Sequence, residues 1–241
     1  MSIFRFLALP VLLSLPIAGS PQQSNSTPTE RKNSTVVFDV SWPGTSPAHY
    51  SIAIESNGNA VYRCDEIDAP KEAGSTGETC EENLMISATT SGRIFELSRQ
   101  TNYFQGNFNY SKGNVAHTGA KTLTYYANSG DSAGKPAPGQ PNQATYNYSE
   151  NPSIQQLTTI FEDIANTVEL GRRLRHLHRF DKLGLDSALK NAEDMAQNHQ
   201  LLELHLISPT LQDLADDTGL LHIARQRAQH LLQRAGAETR P

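Results

Sequence analysis

The chain has 241 residues, a formal net charge of −5, 7% aromatic content, two cysteines and one tryptophan. That length allows one large domain or two small ones. The mild negative charge argues against binding nucleic acid or an anionic membrane through a global field, and a lone tryptophan, Trp42, argues against a broad aromatic platform for carbohydrate.

Met1 to Arg5 carries one positive side chain, Phe6 to Ile17 is almost wholly apolar, and Ala18-Gly19-Ser20 supplies small residues. This is the order of a secretory signal peptide, predicted over residues 1–20, so the chain is expected to be exported to a periplasmic or extracellular space. A buried N-terminal strand or helix is the alternative. The apolar run is shorter than the roughly 20 residues that cross a bilayer, and no later segment reaches that length without charges. No transmembrane segment is therefore expected in the mature chain. Residues 21–34 are polar, with nothing to bury, and read as a disordered linker.

Thr35 to Trp42 is β-branched and aromatic, and reads as a strand. His49 to Glu55 alternates, Asn57-Gly58 is a two-residue hairpin signal, and Ala60 to Cys64 is the returning strand. In an oxidising compartment the pair Cys64 and Cys80 reads as a structural disulfide across a tethered loop, with free thiols as the alternative. The spacing is too wide for a redox dithiol. Ile86 to Phe104 carries a helical stripe at Ile94, Leu97 and Thr101, with Ser87 or Thr90 as cap. Thr122 to Tyr126 and Ala144 to Tyr148 read as paired strands around a Gly/Pro/Ser-rich loop, Asn128 to Asn142.

Asn151-Pro152 opens a long amphipathic helix, predicted to run to about Lys182 and end at Gly184. Further helices are predicted over Asp186 to His199, Leu201 to Asp216 with a restart at Pro209, and Thr218 to Ala235 capped by Asp217-Thr218. Strands first and helices last make an α+β fold. The expected layout is a small antiparallel sheet with a packed helix over 35–150, then an all-helical C-terminal region over 151–241, packed on the sheet or extending from it.

Sequence motifs for catalysis are weak. Ser187-Ala188-Leu189-Lys190 matches Ser-x-x-Lys, but its Ser-Asp-Asn and Lys-Thr-Gly companions are missing, so the two residues are expected to face solvent from a helix. Gly130 to Pro136 has the wrong spacing for a phosphate loop. There is no His-Glu-x-x-His, and His176 and His178 point apart on a helix, so no metal site is assigned. No cofactor and no catalytic residue are expected.

Two features suit recognition. Arg172, Arg175, Arg179 and Lys182 fall on one helical face opposite Leu170, Leu174 and Leu177, a candidate stripe for anions or an acidic partner. The competing reading is a solvated face paired with Glu203, Asp213, Asp216 and Asp217. Tyr125, Tyr146 and Tyr148 belong to a tyrosine-rich stretch and form a candidate recognition surface. Asn25, Asn33, Asn109 and Asn147 stand in glycosylation sequons, meaningful in a eukaryotic host.

The stretch Ser46-Pro47-Ala48-His49-Tyr50-Ser51-Ile52-Ala53-Ile54-Glu55-Ser56-Asn57-Gly58-Asn59-Ala60-Val61-Tyr62 resembles the hairpin that opens uncharacterised bacterial exported proteins. Ile94 to Phe104, Lys121 to Tyr126, Thr145 to Tyr148 and Pro152 to Ile164 follow in that family's order, and Asp181 to Asp186 matches its Asp-Lys-Leu-Gly-Leu-Asp segment. The resemblance implies an exported α+β protein and assigns no functional residue. The leading functional expectation is a non-catalytic exported module that binds a protein partner or an envelope component. A hydrolase with an unrecognised site and a secreted inhibitor or chaperone-like protein are the alternatives. A deep cleft holding two acids or a His–acid pair would favour an enzyme, and a flat tyrosine surface would favour binding.

Overall fold

A computed structural model of the protein describes residues 33–65, 79–113, 115–127 and 142–238. The expected leader, all but two residues of the linker, most of the segment between the cysteines and nearly all of the Gly/Pro-rich loop lie outside the described residues.

Six antiparallel strands form one sheet: β1 (Thr35–Ser41), β2 (His49–Glu55), β3 (Asn59–Asp65), β4 (Thr79–Met85), β5 (Ala120–Tyr126) and β6 (Gln143–Tyr146), in the order β4-β3-β2-β1-β5-β6. The Asn57-Gly58 turn joins β2 to β3. Gly58 sits at a φ of +91°, a value only glycine adopts freely, and an added Cβ there would lie 2.6 Å from the Ile86 carbonyl oxygen.

The period-2 alternation of the strands sends one set of side chains inward in three rows across the sheet. One row runs Tyr125, Val36, Ile54, Ala60 and Leu84, and the next runs Ala144, Leu123, Phe38, Ile52, Tyr62 and Glu82. The third runs Tyr146, Lys121, Val40, Tyr50, Cys64 and Cys80. The opposite face is polar. Arg63 Nε donates to Glu81 at 2.9 Å, and the Thr122 and Thr145 hydroxyls meet at 3.1 Å.

Strand β4 is a correction to the sequence reading, which left this stretch in the cysteine loop. Its two glutamates and one asparagine lower the strand signal. At an edge those charges serve a purpose, because they discourage pairing with another chain. Cys64 and Cys80 are directly opposed on β3 and β4, and their sulfurs are bonded.

Helices cover the inner face. Helix α1 (Ala88–Gln100) is shorter than predicted, because Asn102, Tyr103 and Phe104 take positive φ and close it with a tight turn. Helix α2 (Pro152–Phe180) starts where Asn151 Oδ1 accepts from the Ser153 and Ile154 amides, with Pro152 in the first turn. Its first half buries Ile154, Leu157, Phe161 and Ile164 against the sheet, and the Phe161 ring stacks on Phe38 at 5.0 Å. Its second half turns Leu170 and Leu174 into a separate helical core. One helix thus belongs to both layers, although the sequence reading placed a boundary at its start.

The helical core is completed by α3 (Lys182–Gln197), α4 (Ser208–Asp216) and α5 (His222–Glu238). The expected break at Gly184 falls at Asp181 instead. The Asp181 carboxylate accepts from the Gly184 amide at 2.9 Å and caps α3, so Lys182 and Gly184 open the new helix rather than ending the old one. The expected cap at Asp217-Thr218 is displaced too: α5 begins only at His222, and the intervening turn is held by Gly219 donating to Asp217.

The two layers are tied by a buried carboxylate. Glu203, 4% exposed, accepts from the Ser87 amide at 2.9 Å and the Ser87 hydroxyl at 2.7 Å. It also accepts from the Thr90 hydroxyl and lies 3.4 Å from His205 Nδ1. A carboxylate at a helix N-terminus satisfies orphan amides and the helix dipole together.

Two stability outcomes follow. Glu203→Ala leaves buried donors without acceptors and should cost about 3 kcal/mol in urea unfolding, with Glu203→Gln recovering part of it. Replacing both cysteines by serine should cost roughly 3 kcal/mol in the same assay, the value for a loop of about this length.

Candidate functional site

Lysine is rare on the inner face of a sheet, and the alternation of β5 puts one there. Lys121, Leu123 and Tyr125 share the buried side of the strand. The Lys121 side chain is only 7% exposed. Its Nζ donates to the Thr118 carbonyl at 2.9 Å and the Thr118 hydroxyl at 3.1 Å. Its remaining direction falls between the Asn147 carbonyl at 3.5 Å and Glu162 Oε1 at 3.9 Å, neither at full hydrogen-bond length.

These groups lie at the base of a cleft of about 530 Å³ between the β5–β6 edge and α2. The helix supplies Gln155, Thr158, Thr159 and Glu162, at the i, i+3, i+4, i+7 spacing of a single helical face. The strand side supplies Thr118, Tyr146 and Asn147, and the Tyr146 and Thr158 hydroxyls meet at 2.6 Å. Trp42 and Tyr148 stand at the rim, each 40% exposed.

Each rim ring is held by its neighbours. Trp42, just past β1, has its amide bonded to the Ala48 carbonyl at 2.8 Å. Gly119 lies flat beneath it at a φ of +88°, and an added Cβ there would come within 2.9 Å of the Trp42 Cβ. Gln155 Nε2 donates to the Tyr148 hydroxyl at 3.2 Å and the Ser149 carbonyl at 2.9 Å. Asn147 locks the loop before β5: its Oδ1 accepts from the Thr118 amide at 2.7 Å and its Nδ2 donates to the Ala116 carbonyl at 3.0 Å. Among the described residues, the Glu162 carboxylate and the Trp42 indole N–H make no hydrogen bond.

Burial sets the electrostatics. Desolvation pulls the Lys121 pKa below its ordinary value, partly offset by the Glu162 charge. Desolvation likewise raises Glu162, partly offset by Lys121. Asp163, the next residue on α2, is pushed up to about 6, first by desolvation and then by the Glu162 charge. Burial also raises the Tyr146 phenol.

The other predicted site residues are placed differently. Tyr125 is 5% exposed, packed beside Phe95 and Tyr103, and Tyr146 is 3% exposed. Strand alternation turns both inward, so neither lies on an exposed surface: Tyr125 is core, and Tyr146 is buried with a side lining the cleft. Tyr148, beyond the end of β6, is the one of the three that is open.

The cationic stripe is divided by the helix break at Asp181. Arg172, Arg175 and Arg179 line a groove of about 260 Å³ with His176 and Phe180. Arg172 lies 3.4 Å from Glu169, and Arg175 pairs with Glu82. Lys182 instead reaches Asp217 at 3.3 Å, where His178 also bonds at 2.8 Å. Of the four acids expected to pair with the stripe, Asp217 does so, through Lys182. Glu203 is committed to α1.

Ser187 and Lys190 are exposed on α3. Among the described residues the one convergence of three metal-ligand types is Cys64, Cys80 and Glu169, and there the sulfurs are spent on each other. Tyr62 donates to Glu169 at 2.7 Å nearby. On the outer sheet face His49 lies between Asp39 at 2.9 Å and Asp65 at 3.1 Å. Burial alone would lower the His49 pKa, yet hydrogen bonding and charge from the two aspartates outweigh it and raise the value.

No protein-family model matches the chain, and no curated protein matches it in sequence.

The raised Asp163 pKa has a definite sign. The folded state prefers the protonated acid, so its stabilising contribution is complete below pH 3.8 and is lost as pH rises through about 6. Asp163→Asn imitates the protonated form. At pH 7 it should be the more stable protein by about 1 kcal/mol, a value reduced for screening at a half-buried site, and at pH 3.5 the difference should vanish. Urea midpoints at the two pH values measure it.

Proposed function

We propose that the chain is a non-catalytic exported module that holds a small polar portion of an envelope component in the cleft between β5, β6 and α2. The observation that carries this reading is the Lys121 amine: a buried cation lining an open cleft, whose third donor has only a long bond of 3.5 Å to the Asn147 carbonyl. Such a group costs stability where it stands, and a ligand acceptor would relieve that cost. The rest of the cleft has the make-up of a binding site, with aromatic rings at the rim and a few convergent polar groups inside.

Export rests on the N-terminal signal and on the resemblance of the hairpin to bacterial exported proteins, and the bonded Cys64–Cys80 pair suits an oxidising, non-cytoplasmic compartment. No helix among the described residues is long and apolar enough to cross a membrane.

A hydrolase is the second reading, and one distance favours it. The Thr118 hydroxyl lies 3.1 Å from Lys121 Nζ, within reach for a nucleophile and its base. Against it, the amine donates to the Thr118 carbonyl as well, the hydroxyl is itself 3.2 Å from the Asn147 carbonyl, and among the described residues Glu162 is the only carboxylate lining the cleft. These features suit holding better than bond breaking.

Two measurements test the proposal. The mature chain, recovered from the extracytoplasmic fraction, should begin near residue 19–21; an intact Met1 in the cytosol overturns export. It should also co-sediment with isolated cell envelopes, and Thr159→Tyr, which fills the cleft from an exposed helix position, should abolish this without changing the melting temperature. Equal sedimentation of the two proteins overturns the cleft as the site.

A further inference from the structure

We infer that the cleft binds a neutral sugar ring, a pyranose unit of a glycan, through a vicinal diol set between Lys121 and Glu162. This rests on the binding-module reading above and names the ligand class for the same site.

The argument is an accounting of what the cleft leaves free. Lys121 offers a donor that neither Asn147 at 3.5 Å nor Glu162 at 3.9 Å satisfies at full length. Glu162, its side chain 43% exposed, meets Lys121 as a loose ion pair at 3.9 Å and accepts no hydrogen bond from a described residue. A ligand for this pair must therefore accept on one atom and donate from another a short distance away. A hydroxyl does both, and two hydroxyls on adjacent carbons span the gap: one accepts from Nζ, its neighbour donates to the carboxylate. Both bonds are to charged partners and so are the stronger kind.

Charge narrows the class further. A carboxylate or phosphate ligand would meet Glu162 at the same place, and an ammonium ligand would meet Lys121, so each ion is opposed by one member of the pair. A neutral polyol meets neither penalty. The rim completes the fit, because a pyranose has apolar C–H faces as well as hydroxyl edges. Trp42 and Tyr148 present ring area for such a face, and the Trp42 indole N–H and the Gln155 carbonyl oxygen remain for peripheral hydroxyls. A single tryptophan makes a clamp for one or two rings, not an extended platform.

The same residue supplies the assay, since Trp42 is the chain's only tryptophan and its emission reports the cleft alone. The mature protein would be titrated with maltotetraose, cellotetraose and tetra-N-acetylchitotetraose, with glycerol phosphate and tetramethylammonium as charged probes. At least one saccharide should shift Trp42 emission to shorter wavelength saturably, and the charged probes should not. Lys121→Met and Glu162→Gln should each weaken that binding about tenfold or more, the loss of one hydrogen bond to a charged group. Glu162 is half-exposed, so its variant keeps the test decisive if the Lys121 variant unfolds.

The inference is overturned if no saccharide moves the emission at millimolar concentration, if a charged probe does so instead, or if Glu162→Gln binds like the parent. Silence of the saccharides together with loss of envelope co-sedimentation in Thr159→Tyr would reject the sugar and keep the binding module. Retention of co-sedimentation in that variant would reject both.

Discussion

The sheet layer depends on the burial of one sheet face, above all under α2. A six-stranded sheet covered on one side must turn every second residue into the contact, whatever its chemistry. Where that residue is Phe38, the result is a ring stacked on Phe161. Where it is Lys121, the result is a desolvated amine, and a cleft forms because the polar residues of α2 opposite it do not pack down as leucine would. The candidate site is thus a local failure of the apolar interface. Burying an amine costs stability, and the two bonds to Thr118 moderate that cost.

The inner face also links the two most distinctive features of the sheet. The row that ends at Tyr146 and Lys121 on one side ends at Cys64 and Cys80 on the other, with Val40 and Tyr50 between. The disulfide therefore fastens β4, the edge strand farthest from the cleft, at the same level of the sheet. Tyr50 lies between them, and Glu162 contributes to its raised pKa, after burial itself.

Much of this could be read from residue patterns, and the exceptions have physical causes. The β2–β3 hairpin, the start of α2 and the α+β order depend on local signals, namely a positive-φ turn, an N-cap with proline, and a change from period two to period 3.6. Strand β4 escaped because edge strands carry the charges that strand propensity counts against them. The break at Asp181 escaped because the glycine three residues later looked like the stop, whereas its amide is the group the aspartate caps. The site was readable in part. Lys121, Leu123 and Tyr125 alternate, so starting the strand one residue earlier would have exposed an inward lysine and assigned Tyr125 to the core. Glu162 and Thr159, which line the same cleft, come from another element, and no local pattern places them opposite it.

Glu203 ties the start of α1 to a residue 116 positions further along the chain. During synthesis the Ser87 side chain can cap the Thr90 amide locally, but the Ser87 amide and hydroxyl meet their carboxylate only after residue 203 has emerged. A fragment that stops at the end of α3 would hold every strand and still leave the Ser87 amide without that acceptor. The chain after α3 therefore supports the sheet layer through one carboxylate as well as building a second core.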